Sequence, residues 1–341
     1  MTGKNSRARL GRGSIAVTLA VVVPAAGVHL WLNTNLFGRE DVCGGLVSTD
    51  SAQAVFAESG RLSDRDGLND SPSDQLDFTC TVESSSFLLG SETEYMRISG
   101  GRERGDFPFS EYGRWPSPAT VSFFSGGATG AVGSDHGWVL LPGACTTQDG
   151  PAVIEGYAPE DSDPVELARL LTEVANNTAE RGGCAAETPL TASDTLDSSP
   201  EPRQVQEGTV CGLAGLEFPG PKAQGRANAT ETVQDSTGPT WSCEVADYAT
   251  YAVTQEPRIV AGIRSSPRFT EQPRVAGLQV SGFDPRHVVA DCAGTPTYFS
   301  MEVHQGYTSA LEKPGTPNSR DLYGNFVDVV GKRFGCSTAT S

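Results

Sequence analysis

Asp41–Ser48 reads DVCGGLVS, and Thr209–Leu216 reads TVCGLAGL. The two phrases share a Val-Cys-Gly core followed closely by Leu, and that core occurs nowhere else in the 341 residues. A phrase written twice, so far apart, raises the question of whether its surroundings repeat as well. They do, and the repetition decides the fold.

Cysteine context carries the comparison. The chain has eight cysteines, which fall into Cys43, Cys80, Cys145, Cys184 and then Cys211, Cys243, Cys292, Cys336. The second member of each set lies in an alternating segment, DFTCTVES around Cys80 and WSCEVADY around Cys243. Period-two alternation of Thr, Val, Phe, Trp and Tyr marks a half-buried strand. The third member ends an apolar segment, HGWVLLPGAC at Cys145 and RHVVADC at Cys292, and another strand-like segment follows each. The fourth closes a helix.

Both closing helices carry their own start and stop signals. Asp163 suits an N-cap, Pro164 the first turn and Glu166 the third position of a capping box. Leu167, Leu170, Leu171 and Val174 then make one apolar stripe, and Gly182 and Gly183 end the helix before Cys184. In the second set Asn318 or Ser319 caps, Leu322, Phe326, Val329 and Val330 form the stripe, and Gly335 precedes Cys336. The first set adds a short helix after its opening phrase, with Ser48 or Thr49 as cap, Ala52, Val55 and Phe56 inward and Gly60 at the end. EFPGPKAQGRANATE occupies that place in the second set and is a poor helix.

The order strand, Cys, strand, helix, Cys thus occurs twice. The fold class is α+β, with two tandem repeats of a small antiparallel-sheet module, each ending in a C-terminal helix and holding two disulfides. Four cysteines per module allow three pairings. The expected one joins first to second and third to fourth. The first bond ties the start of the module to a strand, and the second ties the last helix to its sheet. Loops of these lengths are worth about 3–4 kcal/mol per bond in the chain-entropy account. No two cysteines stand close enough for a zinc knuckle. The modules are residues 41–186 and 206–341. Residues 187–205, rich in Thr, Ser, Pro, Asp and Glu without apolar periodicity, have the composition of a linker.

Ahead of both modules stands a membrane signal. Residues 1–13 hold Lys4, Arg7, Arg9 and Arg12 and no acid. Residues 14–32, SIAVTLAVVVPAAGVHLWL, are apolar over nearly the ~20 residues that cross a bilayer. The basic flank stays inside, so the rest is exported. Residues 14–32 are read as an uncleaved transmembrane signal-anchor, because apolar residues continue past the small-residue VPAA. The alternative is a cleaved signal peptide and a secreted protein. Either way both modules lie outside, where an even cysteine count is read as disulfides. The expected partner is the membrane, through the N-terminal helix, together with an envelope protein or cell-wall ligand. Net charge is −17, which repels phosphate backbones and excludes nucleic acid as a partner.

On Cys43, Gly44, Leu46 and Cys80, and again on Cys211, Gly212, Leu213 and Cys243, the chain resembles uncharacterised secreted and lipid-anchored actinobacterial proteins. Their small α+β modules open with Cys-Gly-Leu before a helix and place the next Cys in a strand. It is similar, more loosely, to the extracellular sensor domains of mycobacterial serine/threonine kinases. The chain departs from both in having no lipid-attachment Cys and no kinase portion. The resemblance implies an envelope role and carries over no catalytic residues.

A search for chemistry finds little. There are four histidines. His29 lies in the apolar segment. His136, in GSDHGW, reads as a turn residue, since triad members meet in space rather than in sequence. His287 stands in the matching place before Cys292, a structural echo, and His304 reads as an exposed strand residue. Asp64–Asp70 is acidic, but Gly67 comes too early for a calcium loop and the closing Glu is missing. Gly-rich Ser125–Gly133 has no Lys or following helix for a phosphate cradle and reads as a hairpin. Asn176 and Asn228 head sequons that read as chance. One candidate binding surface remains. Phe107, Phe109, Tyr112 and Trp115 crowd the longer connection of the first module, where they either form a recognition surface or fold back on the sheet. No cofactor, metal or catalytic residue is expected. The expected role is binding, sensing or scaffolding in the cell envelope. The alternatives are a cell-wall-directed hydrolase and a structural subunit of a membrane complex.

Overall fold

The computed structural model describes residues 34–35, 38–57, 60–65, 67–71, 74–86, 93–110, 116–160, 162–197, 199–206, 208–218, 229–235, 238–312 and 316–336. Residues 1–13 and 14–32 therefore lie outside the described residues, as do Tyr112, Trp115 and Asn228. Among the described residues, no helix is long and apolar enough to cross a membrane.

The repeated phrase is a turn. Thr209–Val210 pairs antiparallel with Leu213–Ala214, Val210 opposite Leu213, so Cys211 and Gly212 form the loop. Their φ angles are +57° and +68°. Two positive φ values in a two-residue loop are what a type I′ hairpin needs. In the first module Val42 pairs with Val47, and Cys43, Gly44 and Gly45 have φ of +54°, +64° and +86°. Gly is required because a Cβ disfavours this region, and each Cys is held there by its bond. Cys43 joins Cys80 and Cys211 joins Cys243, both with a Cα separation of 5.7 Å. Cys145 joins Cys184 and Cys292 joins Cys336.

Seven strands build the first sheet: β1 (Arg61–Asp64), β2 (Asp74–Ser85), β3 (Glu94–Arg102), β4 (Ser122–Phe124), β5 (Gly130–Val132), β6 (His136–Leu140) and β7 (Ala152–Tyr157). Seven build the second: β8 (Thr230–Gln234), β9 (Thr240–Val245), β10 (Ala249–Thr254), β11 (Thr270–Val275), β12 (Leu278–Asp284), β13 (His287–Cys292) and β14 (Thr295–Val303). The spatial orders are β1-β2-β3-β7-β6-β5-β4 and β8-β9-β10-β14-β13-β12-β11. Each strand has its counterpart seven later, and every pairing is antiparallel. An eighth strand joins each sheet, Asn69–Ser71 on β2 and Arg203–Gln204 on β8. The same strand order thus recurs in both sheets, as the cysteine context does in both sets.

Helices cover one face of each sheet. In the first module these are α1 (Thr49–Val55) and α2 (Pro164–Arg181). Ser48 caps α1, accepting from the Ser51 N–H, and Asp163 caps α2, accepting from the Val165 N–H. Glu166 does not close a capping box; it pairs with Arg169 at 2.6 Å. Leu167, Leu170, Leu171 and Val174 are fully buried against Leu76, Phe78, Cys80, Val82, Met96 and Ile98. Each such side chain contributes roughly 1.5–3 kcal/mol. Gly137 and Gly156, opposite each other on β6 and β7, let α2 approach: a Cβ on Gly156 would lie 2.7 Å from Leu171.

The second module holds α3 (Pro257–Arg264), α4 (Gln305–Leu311) and α5 (Ser319–Gly331), with Asn318 capping α5. Sequence patterning shows only α5. Helix α3 lacks a side-chain cap and carries Gly262 inside it, and α4 is short. His304, expected on an exposed strand, is instead buried at 4% exposure and forms the N-cap position of α4. The chain turns there because the His304 N–H bonds Tyr248 O and ends the ladder.

The other faces of the two sheets meet. On β6 and β7, Trp138, Leu140 and Val153 point away from α2, toward Ala252, Val289 and Tyr298 of β10, β13 and β14. Ile259, Val260 and Ile263 of α3 and Phe107, Phe109 and Val121 complete this third core. The layers therefore run helix, sheet, sheet, helix. Polar ties cross the seam: Ser242 Oγ donates to Pro118 O at 2.8 Å, Ser300 Oγ to Phe109 O at 3.1 Å and Thr129 Oγ1 to Glu256 Oε1 at 3.2 Å. Residues 187–205 are strapped down rather than loose. Asn176 accepts from the Leu190 N–H at 2.8 Å and donates to Leu190 O at 2.9 Å, and Leu190 and Leu196 pack on the first core.

Gly105 sits at a close approach of the two modules. A Cβ there would stand 2.5 Å from Gly262 O, a backbone atom that cannot rotate away. Gly105→Val is expected to destabilise the protein by about 2–4 kcal/mol through this overlap. Urea unfolding checks it; a variant within ~0.5 kcal/mol of the parent would show that the seam is not closely fitted there.

Candidate functional site

The β12–β13 turn places two residues, Pro285 and Arg286, between Asp284 and His287, which pair across it. His287 Nδ1 lies 2.8 Å from Asp284 Oδ2, and the Arg286 N–H donates to Asp284 Oδ1 at 2.8 Å. On the other side His287 Nε2 stands 3.0 Å from Glu302 Oε1, an ion pair outside hydrogen-bonding alignment. His287 is 3% exposed. Burial disfavours its charge, but the two carboxylates outweigh that and raise its pKa to about 9. Burial likewise pushes Asp284 up, and the imidazolium and the Arg286 N–H overcome it, taking the carboxyl down to about 2. His287 is thus a buried cation between two anions.

The other described histidines differ. His136 opens β6 as His287 opens β13, and Asp135 stands 2.7 Å from its Nδ1. Their cross-strand rungs are not equivalent. His136 lies on the rung of Tyr157, Arg97 and Thr81, just after Cys80. His287 lies on that of Ser300, Ala252 and Ser242, just before Cys243. The echo is one of strand position only. For His304 burial dominates and lowers the pKa, with Thr250 Oγ1 3.2 Å from Nε2.

Beside the Asp284–His287 turn opens a cleft of about 970 Å³. Strand β11 supplies Arg274 and Val275, the turn Asp284 and Arg286, β14 Val303, α4 Leu311, and α5 Arg320, Asp321 and Tyr323. Here the modules diverge. On the rung of the strand Cys, β14 carries Met301 where β7 of the first module has Gly156 under its helix. Helix α5 is also shorter, 13 residues against 18 for α2, and covers less of its sheet. The resulting opening pairs apolar walls with three arginines. No local motif reveals it, because the three come from three separate elements.

Of the sequence-derived binding surface, Phe107 and Phe109 are described, and Tyr112 and Trp115 lie outside the described residues. Phe107 and Phe109 are 4% and 3% exposed, inside the seam. Phe107 meets Trp138 edge-on at 5.0 Å, and Phe109 lies 5.8 Å from Tyr298. These two rings therefore follow the packing alternative, their pull being the apolar face of the opposite sheet. Gly130–Val132 and Ser122–Phe124 form the hairpin expected for the Gly-rich stretch. Among the described residues, no group of three or more His, Cys, Asp or Glu is arranged to hold a metal. Comparison with protein-family models, with curated proteins and with solved structures returned no match to this chain.

Proposed function

We propose that this chain is an extracytoplasmic binding or sensing protein of the cell envelope, held at the membrane by residues 14–32 with both modules outside. The observation that carries the reading is the open cleft on a rigid, stapled body. Four disulfides suggest an oxidising compartment. The third core joins the two modules into one unit, so the cleft is presented on a fixed frame rather than on a tethered domain. A cleft of this size lies at the upper end of the 300–1,000 Å³ usual for ligand sites. Apolar walls with a few polar groups also fit that class. The resemblance to actinobacterial envelope proteins agrees with this role.

The test uses the full chain, tagged at its C-terminus, in cells of the source organism. External protease is expected to remove the tag from intact cells, and the chain is expected to sediment with membranes. The solubilised chain is expected to bind isolated envelopes saturably. A tag protected from protease, or binding that never saturates, would overturn the proposal.

A further inference from the structure

We propose that the cleft takes a small organic anion, an acidic head group on an apolar body. The inference deepens the binding reading and rests on it. The head-group side is set by charge. In a chain of net charge −17, Arg39, Arg102, Arg104, Arg203 and Arg333 each make an ion pair with a carboxylate. Arg274, Arg286 and Arg320 do not; among the described residues their guanidinium groups enter no ion pair or hydrogen bond, although the charge of Arg286 also acts on Asp284 and Glu302. The two carboxylates on the cleft wall are already engaged. Asp284 is held by His287 and the Arg286 N–H, and Asp321 Oδ2 accepts from Asn318 Nδ2 at 2.6 Å. Two open guanidinium groups, Arg274 and Arg320, with the charge of Arg286 beside them, make a site for carboxylate, phosphate or sulfate, whose oxygens match the guanidinium fork. The body side is set by Val275, Val303 and Leu311, which offer hydrocarbon and no donor. An inorganic anion would leave those walls wet, and an uncharged hydrocarbon would leave the arginines unmet.

The full chain in lipid nanodiscs is titrated calorimetrically with 1-naphthyl phosphate, 1-naphthoate, inorganic phosphate and 1-naphthalenemethanol, with the heats of empty discs subtracted. Saturable one-to-one binding is expected for naphthyl phosphate or naphthoate, the tighter of the two naming the preferred head. Inorganic phosphate and naphthalenemethanol are expected to bind at least about tenfold more weakly. Arg274→Gln with Arg320→Gln, both at exposed positions, is expected to weaken the anion about 100-fold with an unchanged unfolding midpoint. Arg169→Gln, on α2, is the control and leaves binding unchanged. No saturable binding of either anion overturns the inference, as does binding indifferent to the arginine changes. Saturable envelope binding without binding of these probes would sink the ligand class alone. Probe binding without envelope binding would instead sink the envelope role.

Discussion

Phe107→Ala is expected to unseat the two modules from each other, because the ring is part of a core that neither module completes alone. It is 4% exposed and stacks edge-on against Trp138, whose neighbours across the seam include Val289 and Tyr298. Removing a buried Phe costs about 3–5 kcal/mol, the lost transfer energy plus the cavity left behind. In a chain of this length each kcal/mol lowers Tm by roughly 2–4 °C, so a fall of about 10 °C follows. Its form matters as much as its size. The parent is expected to unfold in one calorimetric transition, since the third core couples the other two. In the variant the seam opens first, and two transitions separate. Phe109→Ala acts in the same direction, as its ring meets Phe123 at 6.0 Å on one side and Tyr298 on the other. A single transition at the parental temperature would show that the seam contributes little and that the modules stand independently.

His287→Ala is expected to cost about 3–5 kcal/mol, the usual penalty for removing one partner of a buried charged group. The loss leaves Asp284 and Glu302 facing each other without the cation that separates them. Glu302→Gln added to His287→Ala is expected to recover part of it by removing one of the two like charges. The same triad gives module stability a defined pH dependence. His287 has its folded pKa raised to about 9 from an ordinary 6.5, so the stability it confers is complete below about pH 6.5 and is lost as pH rises through 9. A shift of that size corresponds to about 3–4 kcal/mol. Asp284 is depressed to about 2 from 3.8, so its contribution is present above pH 3.8 and disappears as pH falls through 2. Between about pH 4 and 6.5 both are in force. An NMR titration of the imidazole resonances checks this directly. A His287 resonance titrating near 6.5 would mean that the carboxylates do not hold it.

Much of this protein was legible because its signals are local. A repeated Val-Cys-Gly phrase, a strand alternating through Cys80, and a capped helix with a single apolar stripe are each settled within about twenty residues. Two copies of that order are enough to place two stapled antiparallel modules, and the third and fourth cysteines of each module join as their places before and after a helix suggest. Helices α3 and α4 escaped for the converse reason. Neither has a side-chain cap, and the apolar face of α3 is satisfied only by the other module.

What the sequence determined by itself was the outline of each module: the strand through its second Cys, its closing helix and the expected order of its cysteine partners. All of these depend on contacts that short-range periodicity records. Only the tertiary structure decided what the modules do to each other. Apolar residues on both faces of β6, β10, β13 and β14 could be read as core, but not assigned to one core or two. Period two says that alternate residues share a face, and is silent about what lies opposite it. Thus Phe107 and Phe109 became interior once a second sheet stood over them, and the linker composition of 187–205 did not prevent Leu190 and Leu196 from packing against the first core. The cleft belongs to the same category. Arg274, Arg286 and Arg320 come from three elements, and only the way α5 lies on its sheet brings their charges to one opening.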